Sequence, residues 1–480
     1  MNTEAYLLEK FTAALGFEAT ASQKGMFADC ARFLCSDAGD ILVVNGYAGT
    51  GKTTALAAIV SVLKKMKVPC TLMAPTGRSA KVFSSYAHAT AYTVHKCIYR
   101  QKSMGDDGLG QFSIVPNKAH DTVFIVDEVS LIGSDETPHQ GGAVFGSGDL
   151  LGDLVSFVRN GVDCRLILVG DAAQLPPVGL VESPALSKAS MDRFGGVFYS
   201  ELTEVVRQAS GSGILTNATA LRMLISGAEG DAFMPRFTVD GFDDVARITG
   251  GELIETLQDA YSRWGEDQTV VLCRSNKRAI RYNLGIRATV LYREEQLVRG
   301  DKLMIVKNCY SFAETGGEEE RKIDFIANGD IALLQKISGH EERFGLHFAQ
   351  ARLLFPDYDD AELNVKVLLD TLESESASLT YEQQNALYTG VSEDYAHIRG
   401  KRKRYEAVRE DPYFNALQLK YAQALTCHKS QGGQWDCVFI DCPFWQDVQT
   451  RDDLKWMYTA LTRAVQKVYL VNFPDRFFSQ

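Results

Sequence analysis

The chain has little of what a secreted or membrane-spanning protein needs. No apolar run approaches the roughly 18 residues of a membrane span, and the opening segment carries Glu4, Glu9 and Glu18 where a leader would be basic and then apolar. A cytoplasmic protein is expected. The 10 cysteines are scattered with no C-x-x-C pair, which predicts reduced, mostly buried thiols in place of a disulfide framework or a zinc ribbon. Positive charge is also short: 50 Lys and Arg against 61 Asp and Glu leave a net charge of -11. That argues against a uniformly basic surface that coats nucleic acid, and it leaves room for a narrow basic groove. No internal repeat or low-complexity segment stands out, and the one dense basic run, 398–404, suits a solvated helix face and a nucleic-acid contact equally well.

At 480 residues, 45% of them hydrophobic, the chain exceeds the size at which a single core keeps growing, so two or three domains are expected. Short β-rich apolar runs at 41–45, 71–74, 122–126, 165–169, 269–273, 437–440 and 467–471 alternate with helical stretches. Runs hydrophobic on both faces are those of parallel strands buried between helices, so the fold class is α/β. Residues 300–345 change to short strands and turns, and 359–417 reads as charged helix.

The first strand flows into 46–53, G-Y-A-G-T-G-K-T, a phosphate loop. Glycine is needed there because the loop takes positive φ and approaches phosphate closely. Gly46, Ala48, Gly49, Thr50, Gly51, Lys52, Thr53 and Thr54 are the candidate ATP-binding residues. Lys52 would reach the β- and γ-phosphates, Thr53 would take a place on Mg²⁺, and a helix from about Thr54 would add its N-terminal dipole. A second apolar strand ends in Asp127-Glu128. Asp127 would hold Mg²⁺ through water, and Glu128 would orient and deprotonate the attacking water.

At this point the chain resembles the RecD/Dda type of superfamily 1B DNA helicase over nearly its whole length. Seven ordered matches carry the resemblance: Gln23 in S-Q-K, motif Ia at 74–80 (A-P-T-G-R-S-A), Asp127-Glu128, motif III at 169–178 (V-G-D-A-A-Q-L-P-P-V), motif IV at 201–208 ending in Arg207-Gln208, motif V at 424–432 (A-L-T-C-H-K-S-Q-G), and motif VI at 458–464 (Y-T-A-L-T-R-A). The resemblance implies two RecA-like P-loop domains, with a β-hairpin insert in the first and a small β-barrel-like plus helical insert in the second. Its boundaries would be 1–208 for the first domain, about 97–121 for the hairpin, 209–299 for the start of the second, 300–417 for its insert and 418–480 for the remainder.

The resemblance further implies that Gln23 reads adenine, that Gln174 senses the γ-phosphate and that Gly432 belongs to the nucleotide site. Arg207 and Arg463 lie far downstream of the phosphate loop, so if both reach the γ-phosphate a second domain closes on the first, making them arginine fingers. Pro75, Thr76, His95, Phe112, Thr426, His428 and Lys429 are the candidate DNA contacts, with His95 equally readable as structural and Phe112 as a plain hairpin-core aromatic. The implied activity is ATP-driven 5′-to-3′ translocation by a monomer, acting on single-stranded and tailed duplex DNA, with replication or repair proteins as partners. A DNA-stimulated ATPase that remodels protein on DNA, or a RecD-like subunit of a larger complex, would carry the same motor. A nucleotide-switched module without turnover fits less well beside Glu128 and the two arginines. The chain lacks the long N-terminal extension of bacterial RecD-like helicases and any relaxase domain, which resembles the short Dda form. The Gly-rich stretch 133–150 between motifs II and III is expected to be a flexible loop.

Overall fold

The computed structural model describes residues 3–104, 110–134, 144–205, 211–227, 230, 232–309, 326–358 and 360–478. Six strands form the first sheet, all parallel, in the order Ala91–Thr93, Cys70–Ala74, Val123–Val126, Arg165–Gly170, Ile41–Gly46, Val197–Leu202. Ile41, Leu42, Val43 and Val44 are all buried, alternating between two cores. Each such side chain stabilises the fold by roughly 1.5–3 kcal/mol relative to exposure. One core lies under the helices Thr3–Ala14, Ala21–Cys35 and Lys52–Lys65, and the other under Leu150–Arg159. The phosphate-loop helix begins at Lys52, two residues earlier than its sequence suggested, because Gly51 in the left-handed region (φ 77°) turns the chain into it.

A second sheet of five parallel strands runs Val245–Ile248, Ala464–Val471, Trp435–Asp441, Thr269–Cys273, Ala424–Thr426. The two-domain α/β expectation is borne out. Between Thr269–Cys273 and Ala424–Thr426 the chain departs to build a closed barrel from Lys302–Ile305, Ile331–Arg343, Leu346–Phe355, Ala361–Leu368 and Leu417–Tyr421. The helical reading of 359–417 is therefore corrected. Ala361–Leu368 is a barrel strand whose Ala361, Val365 and Val367 face the barrel core while Glu362 faces solvent, and helix is confined to Tyr381–Asp394 and Lys401–Glu410. The charge there lies on the wet face of a strand and not on a helix face. In the basic run, Arg402 pairs with Glu406 and Arg404 donates to the Ala396 and Ile398 carbonyls.

A third, small sheet pairs Tyr99–Met104 antiparallel with Gly110–Ile114. Val144–Phe145 adds to it in parallel, so the end of the Gly-rich stretch is a strand on the hairpin; 135–143 lies outside the described residues. No helix among the described residues is long and apolar enough to cross a membrane. None of the 10 cysteines is in a disulfide.

Candidate active site

The phosphate loop follows the Ile41–Gly46 strand at the carboxyl edge of its sheet, where ligands bind in open α/β folds. Gly49 and Gly51 both take positive φ, at 75° and 77°. A Cβ at Gly46 would lie 2.6 Å from Lys52 Cγ, so the lysine stem occupies the space the missing side chain leaves. Lys52 Nζ donates to the Tyr47 carbonyl at 3.1 Å and stands 3.7 Å from Asp171 Oδ2. Thr50 is buried and its hydroxyl donates back to the Tyr47 carbonyl, while Thr53 and Thr54 lie in the first turn of the helix. Gln23 is fully buried. Its Oε1 accepts the Thr20 amide in a capping box and its Nε2 donates to the Thr50 carbonyl at 3.2 Å, which ties the residue expected at adenine to the floor of the loop.

Two strands away, Asp127 and Glu128 follow Val123–Val126. Burial first, and the neighbouring Glu128 carboxylate second, push Asp127 up to about 7. Glu128 sits in the left-handed region at φ 55°, an uncommon and costly conformation for a side-chain-bearing residue, and its Oε2 is buried with no hydrogen-bond partner among the described residues. Gln174 Oε1 is likewise buried and unpartnered. Buried polar atoms left open cost about 1–3 kcal/mol each, so their presence beside a glycine-built anion cradle fits a phosphate ester with its metal and water. Thr53 and Asp127 are the residues that would hold Mg²⁺, whose charge would offset that of the phosphates.

Motif III crosses into the second domain. The Leu175 amide donates to Thr459 Oγ1 at 2.9 Å and its carbonyl accepts Gln431 Nε2 at 2.9 Å, while Ala173 and Leu175 pack in the second domain's core. Tyr458 reaches further, accepting the Ala48 amide and donating to Asp171. Arg463 is buried, and its guanidinium donates to Thr459 O, Gly433 O and Thr462 Oγ1, all within its own domain. Arg207 lies outside the described residues.

The candidate DNA contacts divide between two seams. Thr76 caps Gly77–Ala87 by accepting the Ser79 amide, Pro75 precedes it, and Gly432 packs on Ser79, with a would-be Cβ 2.6 Å from Ser79 Oγ. Gly432 therefore meets motif Ia. Thr426 and Lys429 line a cleft with Asn276, Lys420 and Tyr421. Lys429 Nζ has no hydrogen-bond partner among the described residues, and burial with Lys420 nearby lowers it to about 8. Burial, then Arg274, lowers His428 as well. His95 and Phe112 instead join an aromatic cluster: Phe112 stacks on Phe145 at 4.3 Å between centroids, and His95 meets Phe145 edge-on at 4.9 Å, with burial lowering His95 to about 4. A neutral ring packed this way is a hairpin anchor. Tyr458 and Asp171 lie within motifs VI and III, and only the fold shows them meeting at the phosphate loop.

Fold and site define a P-loop NTPase of two RecA-like domains. A family model described as an AAA domain matches residues 28–233, and another, the UvrD-like helicase C-terminal domain, matches residues 421–471. Over 202 residues the chain is 32% identical to the ATP-dependent RecD2 DNA helicase of Deinococcus radiodurans, covering 42% of this chain and 24% of that one. The chain thus spans about a quarter of that relative's length. It is 23% identical over 459 residues to the ATP-dependent DNA helicase dda of Enterobacteria phage T4, covering 90% and 94%. A Bacteroides Pif1 helicase solved with ADP-AlF3 and ssDNA aligns at a TM-score of 0.47 with 15% identity, covering 97% and 95%. The ordered motifs, the sequence relatives and the family models make the chain similar to superfamily 1B helicases.

Proposed function

We propose that the chain is an ATP-dependent DNA helicase that moves 5′ to 3′ on a single strand and separates tailed duplexes, as a cytoplasmic monomeric motor. The observation that carries this reading is the seam itself: the phosphate loop, Asp171 and Leu175 of one domain are hydrogen-bonded to Tyr458, Thr459 and Gln431 of the other. A change at the phosphates is thereby felt in the helix that leads into Arg463. In this reading Lys52 binds phosphate, Glu128 takes the proton of the attacking water, Gln174 senses the terminal phosphate, and Arg463 leaves its present carbonyl partners to meet charge developing in the transition state. Closure and release of the cleft then move Thr76 on one domain against Thr426, His428 and Lys429 on the other, one step along the strand. Replication or repair proteins are the proposed partners.

Strand separation on matched duplexes with a 5′ or a 3′ tail, run alongside ATPase assays, tests the reading. Unwinding confined to the 5′-tailed duplex is expected. A preference for the 3′ tail refutes the polarity. DNA-stimulated hydrolysis with no unwinding of either substrate refutes the helicase in favour of a remodelling ATPase or a subunit lacking its partners.

A further inference from the structure

The Tyr458 hydroxyl sits where two domains and two functional elements meet. It accepts the Ala48 amide of the phosphate loop at 2.8 Å and donates to Asp171 Oδ2 at 2.7 Å. Other amides of that loop have partners close by in their own domain: Tyr47 N–H binds the Leu202 carbonyl and Thr50 N–H the Tyr47 carbonyl. Ala48 is held from across the cleft. Asp171, completely buried, accepts Tyr458 on the same oxygen that stands 3.7 Å from Lys52 Nζ, and its Oδ1 accepts the Ala173 amide. One hydroxyl therefore bridges the loop backbone and the carboxylate beside the phosphate-binding lysine. Burial first, then Asp171, raise Tyr458 well above its ordinary value, which keeps the proton that the bond to Asp171 needs.

An amide donates to one good acceptor at a time, so a phosphate oxygen and Tyr458 compete for Ala48 N–H. Packing alone would be met by phenylalanine. A hydroxyl in this seam costs desolvation unless both its bonds are made. We propose that Tyr458 is a positioning residue through which the second domain registers whether phosphate occupies the loop. Bound phosphate takes the Ala48 amide and draws Lys52 from Asp171; Tyr458 then loses its acceptor contact, and the helix Arg451–Leu461, which ends two residues before Arg463, is freed to reset. The inference rests on the motor reading above and deepens it.

The test compares the full chain with its Tyr458→Phe variant. Dissociation constants for Mg-ADP and for a non-hydrolysable ATP analogue are measured by fluorescence, and KM and kcat for ATP are measured with and without single-stranded DNA. Removing the competitor should tighten nucleotide binding by roughly two- to tenfold, the worth of one neutral hydrogen bond, and lower KM while kcat and its stimulation by DNA fall. Unchanged or weaker nucleotide binding in a folded Tyr458→Phe protein overturns the proposal. A merely structural role would lower kcat without tightening binding. Hydrogen exchange of the wild type gives a second route: the analogue should change protection across 451–461, and no change there overturns the proposal even if the variant fails to fold. Because the binding arm needs no turnover, a wild type that binds nucleotide without hydrolysing it refutes the motor and leaves Tyr458 to be judged on affinity.

Discussion

Replacing Gly432 by alanine should pull motif V off motif Ia. Gly432 has φ 74°, where an L-residue costs roughly 1–2 kcal/mol. The added Cβ would also sit 2.6 Å from Ser79 Oγ and 2.8 Å from Ser79 Cβ. Ser79 cannot swing clear, since its hydroxyl contacts Thr76 and its amide is held by the Thr76 cap. Overpacking of this kind costs about 1–3 kcal/mol, so Gly432→Ala should destabilise the protein by about 2–5 kcal/mol. Urea unfolding followed by tryptophan fluorescence reads this directly, because Trp435 and Trp456 are both buried in the second domain's core. The steric share is separable from the backbone share: with Ser79→Gly in the same chain, about 1–3 kcal/mol should return as a coupling energy while the φ cost stays. A Gly432→Ala transition within about 0.5 kcal/mol of wild type, or a coupling energy near zero, refutes the packing argument.

Four further outcomes are expected. Lys52→Ala should abolish hydrolysis in a chain that still folds, because Nζ meets the Tyr47 carbonyl and Asp171 at the phosphate loop, and circular dichroism with a phosphate-release assay checks both halves. Glu128→Gln should keep ATP and DNA bound together with turnover reduced at least a hundredfold; unchanged turnover removes Glu128 from the role of base. Burial raises Asp330 from 3.8 to about 6 where the barrel meets motif Ia, so the native state holds a proton there that the unfolded chain has lost. Stability should then fall as pH rises from about 4 to 6, by an amount on the order of 3 kcal/mol, and Asp330→Asn should flatten that window in pH-dependent denaturation. Lys429→Ala should weaken single-strand binding and reduce the slope of log affinity against log salt by roughly 0.7, as anisotropy titrations at several salt concentrations would show.

Much of this architecture was legible because parallel strands buried on both faces carry no polar interruption: the runs at 41–45, 165–169 and 269–273 could be little else. Edge and barrel strands were harder. Val197–Leu202 is only partly buried along its length and was absorbed into a motif, and Ala361–Leu368, though its apolar and polar residues alternate with the period of a strand, opens a charged stretch whose later part is helix. At the site, residues whose chemistry is local to one turn, such as Lys52 and the Asp127-Glu128 pair, could be named from spacing. The contact of Tyr458 with Ala48 spans 410 positions, and no local pattern encodes it. His95 and Phe112 show the converse, since chemistry-bearing side chains were drawn into aromatic packing by Phe145, a partner in a stretch with no recognisable pattern.

The barrel's point of insertion also governs how the molecule is made. Val271 pairs with Ala424 and Val270 pairs with Val438, so the strand Thr269–Cys273, second from the edge of its sheet, waits some 150 residues for one neighbour and longer for the other. The first sheet closes once Val197–Leu202 has joined Ile41–Gly46. On the ribosome, where residues appear at about 5–20 per second, the first domain can fold while Thr269–Cys273 remains an unpaired apolar strand for roughly ten seconds or more, with the barrel assembling in between. Ala464–Val471 lies between Val245–Ile248 and Trp435–Asp441, so the second sheet is divided until that late strand arrives, and the nascent chain passes through a state with exposed sheet edges that chaperones would be expected to cover.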